Sequence, residues 1–145
     1  MNHPAVHEAD IRDIPKLIPV LKVLRPHLSD PDFMDLIPTL FKEGYRLVYI
    51  GDETMAYAVA GFRTLNFLYS GKTLYIDDLV TLPGHLKKGY ASHLLQWLKG
   101  YAKQEGYDHF SLDSGFQRKD AHRLYLRAGL EMEAFHIGKK LRDWK

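Results

Sequence analysis

A strand pattern followed by a basic, glycine-containing loop occupies residues 76–92, which read Ile76-Asp77-Asp78-Leu79-Val80-Thr81-Leu82-Pro83-Gly84-His85-Leu86-Lys87-Lys88-Gly89-Tyr90-Ala91-Ser92. The first part favours a buried strand, and the Pro-Gly pair marks a turn. An amphipathic helix follows, and the first turn of a helix presents backbone N–H groups that have no partner within the helix. These groups and the helix dipole favour an anion, and a glycine lets a pyrophosphate approach the backbone closely. The stretch therefore predicts an anion cradle.

Two lysines strengthen the anion-binding character of this loop. Lys87 and Lys88 place positive charge directly before Gly89. The spacing matches neither the GxxxxGK[ST] phosphate loop nor the GxGxxG dinucleotide fingerprint. A solvated helix cap of the same composition is the other interpretation, and the loop alone does not choose between the two.

The residues that precede this stretch predict a short strand and two helices. Residues 6–9 form the candidate strand, and residues 11–24 carry apolar side chains at helical spacing. Pro19 lies inside that second segment and predicts a kinked or split helix. Ser29-Asp30-Pro31 is a helix-start signal, because a capping side chain precedes a proline, and the helix is expected to end near Lys42.

The middle third of the chain changes to a strand period. Residues 45–50, 54–67 and 73–82 are strand candidates, separated by short polar turns. Strands joined in this way predict an antiparallel meander.

The last third is predicted to contain one more strand–helix unit and a final extended segment. A helix ends before Gly106, residues 109–112 form a short strand, and residues 119–127 form a helix closed by Gly129. Residues 130–141 are expected to end the chain as a strand or hairpin. The element order predicts an α+β fold in which a mixed, mostly antiparallel central sheet carries helices on both faces.

The composition favours one thiol-free domain over residues 1–145. The chain has 145 residues, of which 46% are apolar and 26% are charged, and it has no cysteine. Disulfides, thiolate metal sites and a cysteine nucleophile are therefore excluded. The eight histidines show no zinc-site spacing, so no metal is expected.

The same sequence gives expectations about location and partners. The N-terminus has no apolar core of a secretory signal, and no apolar run approaches the ~18 residues of a membrane span. A cytoplasmic protein without a membrane partner is expected. The net charge of +2 is not concentrated in a stripe, which predicts no nucleic-acid partner.

Three motifs taken together resemble the GNAT acyltransferase superfamily. The family's cofactor loop, Arg/Gln-x-x-Gly-x-Gly/Ala, is similar to Leu86-Lys87-Lys88-Gly89-Tyr90-Ala91. The Val-x-Pro-like strand end that precedes that loop is similar to Leu79-Val80-Thr81-Leu82-Pro83. The later helix with Ala-x-x-x-Tyr and a following glycine is matched by Ala121, Tyr125 and Gly129. The element order fits the same superfamily over nearly the whole chain.

Three positions depart from the family pattern. Leu86 stands where the family has Arg or Gln, Arg118 where many members have Asn, and Leu130 where Phe is usual. The Leu86 departure removes one side chain from the phosphate site and leaves the backbone amides. Residues 117–127 look closest to bacterial small-amine members such as aminoalkylphosphonate N-acetyltransferase. The N-terminal third shows no comparable resemblance, so no substrate is carried over.

The resemblance implies a set of site residues. Acetyl-coenzyme A is the implied cofactor, bound by the pantetheine-pairing backbone and the loop, namely Leu79, Val80, Thr81, Lys87, Lys88, Gly89, Tyr90, Ala91 and Ser92. Tyr125 is the implied proton donor to the leaving thiolate, against the alternative of an aromatic side chain that only packs. Asp78 is the first choice for a base working through water, against a structural carboxylate. Asp77 is expected on the opposite face of the strand.

The expected function is that of an acetyl-coenzyme A-dependent N-acetyltransferase. Direct transfer in a ternary complex is expected, because no cysteine is available to form an acetyl-enzyme. The expected acceptor is a small primary amine, whose pocket is formed by residues 24–41, 63–69 and the final strands. A protein lysine or N-terminal amine stays open as the acceptor, as do a non-catalytic acyl-coenzyme A sensor and a homodimer formed through the last strand.

Overall fold

A computed structural model describes residues 4–145 of the chain. The strands and helices, in chain order, are β1 (His7–Glu8), α1 (Ile14–Leu24), α2 (Asp30–Lys42), β2 (Arg46–Gly51), β3 (Ala56–Phe67), β4 (Gly71–Thr81), α3 (Tyr90–Gln104), β5 (His109–Leu112) and α4 (Lys119–Arg127). The chain divides into two compact units, one that ends at Leu112 and one that spans Asp113–Lys145. The sheet, α1, α2 and α3 belong to the first unit, and α4 belongs to the second.

The five strands form one sheet in the order β1-β2-β3-β4-β5. β1 to β4 are antiparallel to their neighbours, and β5 alone runs parallel, beside β4. The predicted meander of β2, β3 and β4 is confirmed, and so is the mostly antiparallel α+β fold.

Helices cover both faces of the sheet. One apolar cluster joins α1 and α2 to Leu47, Tyr49, Val59 and Val80 of the sheet. Side chains alternate along a strand, so the equally buried Val48 lies on the other face. There α3 packs against β2, β3 and β4. The sheet is therefore buried on both sides in its central strands.

The N-terminal helices show how local signals set helix ends. Ser29 caps α2 as predicted, because its Oγ accepts the backbone N–H of Asp32 at 3.2 Å, and Asp32 returns a bond to the N–H of Ser29 at 2.8 Å. The first helix is not split at Pro19, since α1 is continuous from Ile14 to Leu24 with Pro19 inside it. A separate 3-10 turn occupies Ile11–Asp13, so the helix begins later than predicted, and Pro19 removes one backbone hydrogen bond within it.

The predicted final strand or hairpin is absent from the structure. Residues 130–140 contain no strand, and Met132, Phe135 and Ile137 are largely exposed. Alternation of apolar and polar residues shows which side a strand would bury, but a strand exists only where a neighbour pairs with it. The sequence pattern does not supply that neighbour.

Within residues 4–145, the helices are all too short or too polar to pass through a lipid bilayer.

Candidate active site

A β-bulge interrupts β4 at the two adjacent aspartates. Asp78 lies opposite Gly61 on β3, whereas Phe62, the next residue of β3, lies opposite Ile76. Asp77 is therefore an extra residue without a counterpart on β3. A bulge of this kind changes the direction in which the neighbouring side chains point.

The bulge brings both carboxylates into one polar cluster. Arg63 holds Asp77 with two bonds, from Nε to Oδ1 at 3.0 Å and from Nη2 to Oδ2 at 2.6 Å. The same guanidinium lies over the Tyr45 ring, 5.3 Å from its centroid, and Tyr45 donates its hydroxyl to Asp78. The expectation that Asp77 points to the opposite face is therefore wrong, because it assumed a strand that alternates without a bulge.

Asp78 accepts three hydrogen bonds from side chains of other elements. Arg25, at the C-terminal end of α1, donates Nε at 3.0 Å and Nη2 at 2.7 Å to Oδ1. Tyr45 donates its hydroxyl to Oδ2 at 2.5 Å. The Asp78 side chain keeps 14% of its surface exposed. An ionised carboxylate can accept about four hydrogen bonds. Because Asp78 accepts three from these side chains, about one acceptor position is left for water or a ligand.

Tyr45 and Gly61 complete the cluster, and the sequence analysis missed both. Tyr45 is buried, and a Cβ added to Gly61 would lie 1.8 Å from its hydroxyl oxygen. The Tyr45 hydroxyl therefore occupies the space that a side chain on Gly61 would need. A glycine in the interior of a predicted strand was the available signal, since it indicates a bulge or a close approach.

Burial changes the proton affinity of two groups in this cluster. It raises the pKa of the Asp77 carboxyl above its usual value, although Arg63 acts in the opposite direction. Burial, reinforced by the negative charge of Asp78, raises the pKa of Tyr45 well above the ordinary value for a phenol. Tyr45 is therefore a donor and not a phenolate at neutral pH.

The last residues of β4 pair with β3 on one side. Leu79, Val80 and Thr81 lie opposite Ala60, Val59 and Ala58. β5 accompanies β4 only from Thr73 to Ile76, so no described strand continues beside β4 past that point on the other side. This arrangement is compatible with an extended ligand arm alongside the strand end.

The loop before α3 contains two residues in the left-handed backbone region. They are Lys87, with a φ of 62°, and Gly89, with a φ of 78°. Gly89 is the N-cap of α3, and no side chain caps that end of the helix. The N–H groups of the first turn belong to Tyr90, Ala91 and Ser92, and Lys87 and Lys88 lie exposed beside them. A helix start of this kind favours negative charge.

Leu86 provides no charge at this loop. Its side chain is 56% exposed, in the position where the family has a basic or amide residue. An aromatic stack packs just ahead of it: His85 lies on Tyr57 with ring centroids 4.1 Å apart and planes 10° apart, and Tyr90 lies 6.0 Å from Tyr57. Asp52 accepts the Tyr57 hydroxyl at 2.5 Å. The stack fixes the turn that leads into the loop.

Tyr125 lies on α4, in the second unit. It is buried, and burial raises its pKa above the ordinary phenol value, while the nearby positive charge of Arg118 acts against that shift. The hydroxyl is therefore protonated at neutral pH, as a proton donor must be. His122 on the same helix bonds the carbonyl of Gly115 at 2.8 Å through Nε2 and so serves the local chain geometry.

Across residues 4–145, no group of three or more histidine, aspartate or glutamate side chains is placed to hold a metal ion.

Comparisons with known proteins agree with the resemblance seen in the motifs. The model of the Acetyltransferase (GNAT) family matches residues 13–130. The uncharacterized N-acetyltransferase YhdJ of Bacillus subtilis (strain 168) is 33% identical over 123 residues, which cover 83% of this chain and 87% of that protein. The aminoalkylphosphonate N-acetyltransferase of Salmonella typhimurium is 38% identical over 66 residues, 46% of this chain and 43% of that protein.

A solved structure shares the fold. Aminoglycoside N-acetyltransferase AAC(6')-Iy in complex with CoA matches with a TM-score of 0.83 at 12% identity, over 97% of this chain and 95% of that chain. An identity this low supports the fold alone, whereas the family model and the Bacillus relative cover most of the sequence. The chain belongs to the GNAT acetyltransferase family and is an acetyl-coenzyme A-dependent N-acetyltransferase.

Proposed function

We propose that the acceptor is a small-molecule primary amine and that the acetyl group moves to it directly, in a ternary complex of enzyme, acetyl-coenzyme A and amine. The observation that carries this proposal is the cluster of Asp77 and Asp78 at the β4 bulge, on the strand that leads to the α3 cradle. The lack of cysteine in the chain supports direct transfer, because the usual thioester acetyl-enzyme cannot form.

The chemistry needs two proton movements. The neutral amine nitrogen forms a C–N bond with the thioester carbonyl carbon, and the C–S bond breaks to release a thiolate. The nitrogen must lose a proton, and the thiolate must gain one. A carboxylate within reach of the amine, directly or through one water, and a phenol near the sulfur meet these two requirements.

Asp78 is the proposed acceptor of the amine's proton. Its exposed fraction of 14% gives water access to the side chain, and about one acceptor position of the carboxylate is not used by Arg25 or Tyr45. Asp78 is chosen over Asp77 because it stands directly before residues 79–81, which match the family motif, whereas the Asp77 carboxylate forms a two-bond ion pair with Arg63. The three hydrogen bonds from Arg25 and Tyr45 keep Asp78 in one orientation.

Acetyl-coenzyme A is the group donor, and its proposed contacts follow the motif match. The diphosphate would rest on the backbone N–H groups of residues 89–92, with Lys87 and Lys88 beside it. The backbone of residues 79–81 would pair with the pantetheine arm, and one N–H of that strand would polarise the thioester carbonyl. The uncapped start of α3 and the left-handed Gly89 support this assignment.

Tyr125 is the proposed proton donor to the leaving thiolate. The support comes from the family motif at residues 121–129 and from the raised pKa that keeps the phenol protonated. A thiol with a reference pKa of ~8.5 is a weaker acid than many leaving groups, so a donor at the sulfur aids its departure.

The comparisons also support proposals about the acceptor class and the domain organisation. The small-molecule acceptor is supported by the Salmonella relative, whose name states that it is an aminoalkylphosphonate N-acetyltransferase. The family model spans both compact units, which supports one acetyltransferase domain over the whole chain. The proposed compartment is the cytoplasm, where acetyl-coenzyme A is available, and the homodimer is left to a measurement of mass in solution.

Release of free thiol from acetyl-coenzyme A tests the proposal. Turnover is measured with a panel of small primary amines and, in parallel, with peptides that offer a lysine or an N-terminal amine. Turnover that is fastest with a small amine supports the proposal. Faster turnover with a peptide contradicts the acceptor class, and cofactor binding without turnover on any acceptor favours a sensor.

A further inference from the structure

Tyr45 holds the carboxylate on which the proposed reaction depends. We propose that Tyr45 is a positioning residue for Asp78, that it keeps this carboxylate oriented toward the amine, and that Gly61 is required because it gives the Tyr45 hydroxyl its place. The inference rests on the proposed function, in which Asp78 receives the amine's proton.

The two oxygens of Asp78 are bound by different side chains. Arg25 binds Oδ1 through Nε and Nη2, and its Nη2 also bonds the carbonyl of Asp77 at 3.2 Å. Tyr45 alone, among the side-chain hydrogen bonds of the described residues, binds Oδ2. Loss of the Tyr45 hydroxyl therefore frees one oxygen while the Arg25 ion pair remains.

Tyr45 has no other polar task that the structure shows. Its side chain is 4% exposed, its ring packs in the apolar cluster of α1 and α2, and Arg63 covers the ring face. A buried hydroxyl needs a partner, and here the partner is a carboxylate at 2.5 Å. A phenylalanine would fill the same space, so the hydroxyl is explained by its bond to Asp78.

Gly61 supplies the room for this bond. It lies directly opposite Asp78 on β3, and an added Cβ would stand 1.8 Å from the Tyr45 oxygen and 2.4 Å from its Cζ. The Tyr45 ring therefore crosses the strand at the one position without a side chain. Alanine at residue 61 would move the hydroxyl away from Oδ2 without removing it.

The groups around Asp78 show what remains when the Tyr45 hydroxyl is lost. Arg25 from the C-terminal end of α1 and Arg63 from β3 are positive, Asp77 on β4 is negative, and Tyr45 is a neutral donor. Without that donor, the bonds from Arg25 to Oδ1 remain and Oδ2 loses its side-chain partner. The carboxylate is then less firmly oriented, so we expect a slower catalytic step and unchanged binding of acetyl-coenzyme A.

The experiment compares kcat and the KM values for the amine and for acetyl-coenzyme A in the wild-type enzyme, Tyr45→Phe and Gly61→Ala. We expect kcat to fall by about tenfold in both variants, with the KM for acetyl-coenzyme A unchanged. Tyr49→Phe is the matched control: it removes the hydroxyl of a buried tyrosine on β2, one that binds Lys16 at 3.3 Å, and it should leave kcat unchanged. Thermal melts establish that each protein is folded.

The outcomes separate this inference from the proposed function. A folded Tyr45→Phe with an unchanged kcat overturns the role of Tyr45. Full activity in Asp78→Asn overturns it as well, because Asp78 would then receive no proton. A wild-type enzyme that releases no thiol with any amine refutes the proposed function itself. Gly61→Ala tests the same hydroxyl by displacement, so the conclusion does not depend on one variant.

Discussion

The two halves of residues 76–92 are built in opposite ways. In the first half, the side chains of Arg25, Tyr45 and Arg63 converge on Asp77 and Asp78 and bind both oxygens of each carboxylate. In the second half, the loop and the start of α3 present backbone N–H groups that no side chain caps. The carboxylates are thus fixed by the fold, while the loop offers main-chain donors whose positions depend on backbone angles. Changes of side chain should matter most in the first half and changes of backbone in the second.

The largest effect is expected from Asp78→Asn. The amide cannot accept the amine's proton and cannot form an ion pair with Arg25, so kcat should fall by roughly 10²- to 10³-fold, with little change in binding of acetyl-coenzyme A. Steady-state thiol release and calorimetry with coenzyme A measure the two quantities. Asp77→Asn is the matched control and should lose much less activity. A reversed order of the two variants would exchange their assigned roles.

Tyr125→Phe tests whether proton transfer extends beyond residues 76–92. Without the phenol, turnover should fall by about 10²-fold. Because burial raises the pKa of Tyr125, the phenol stays protonated through pH 9, and the loss should be equal at pH 7 and pH 9. Rates at both pH values check this expectation. Unchanged turnover removes Tyr125 from the mechanism.

Gly61→Ala should also lower the free energy of unfolding. A glycine with open space around it should tolerate the same change. A Cβ 1.8 Å from the Tyr45 oxygen forces the buried ring to move, and overpacking of this kind costs about 2 kcal/mol. Gly100→Ala is the control, since an added Cβ there meets nothing within 4 Å, and the helical position should gain ~0.5–1 kcal/mol. Chemical denaturation measures both free energies of unfolding. Equal stability in the two variants would contradict the close approach of Tyr45.

The smallest effect is expected at the loop. Leu86→Arg restores the charge that the family has at this exposed position, and it should tighten binding of coenzyme A by about twofold to fivefold at low salt. The gain should shrink as ionic strength rises. Calorimetry at two salt concentrations measures it, with Leu86→Gln as the uncharged control. A gain that persists at high salt would point to packing and not to charge.

The sequence predicted the elements that depend on local signals. The meander of β2 to β4, the Ser29 cap and the glycine at the start of α3 were all found where residue type and spacing indicated them. These features depend on interactions between residues a few positions apart, or on the regular alternation of apolar and polar residues. Both can be seen in a single sequence.

The parts that were missed depend on partners far apart in the chain. Tyr45 and Asp78 are separated by 33 residues, and Arg25 and Asp78 by 53 residues. The bulge at Asp77 arises from the register between two strands, and the final strand was expected from alternation that no neighbour supports. A sequence pattern indicates the local conformation that each residue favours. It does not indicate which residue from a distant part of the chain will contact it. Whether Asp78 and Tyr125 act in catalysis stays a prediction.

The bulge in β4 makes the length of this strand matter as well as the types of its residues. With Asp77 present as an additional residue, Asp78 stays on the side of Tyr45 and Arg25, and β4 continues to pair with β3 in a register shifted by one residue. Removing one residue between Lys72 and Ile76 would remove the bulge, but it would also turn over the part of β4 between the deletion and Asp77. Side chains of that part that face α1 would then face α3, and the reverse. A point substitution keeps these two faces, whereas a single-codon deletion exchanges them.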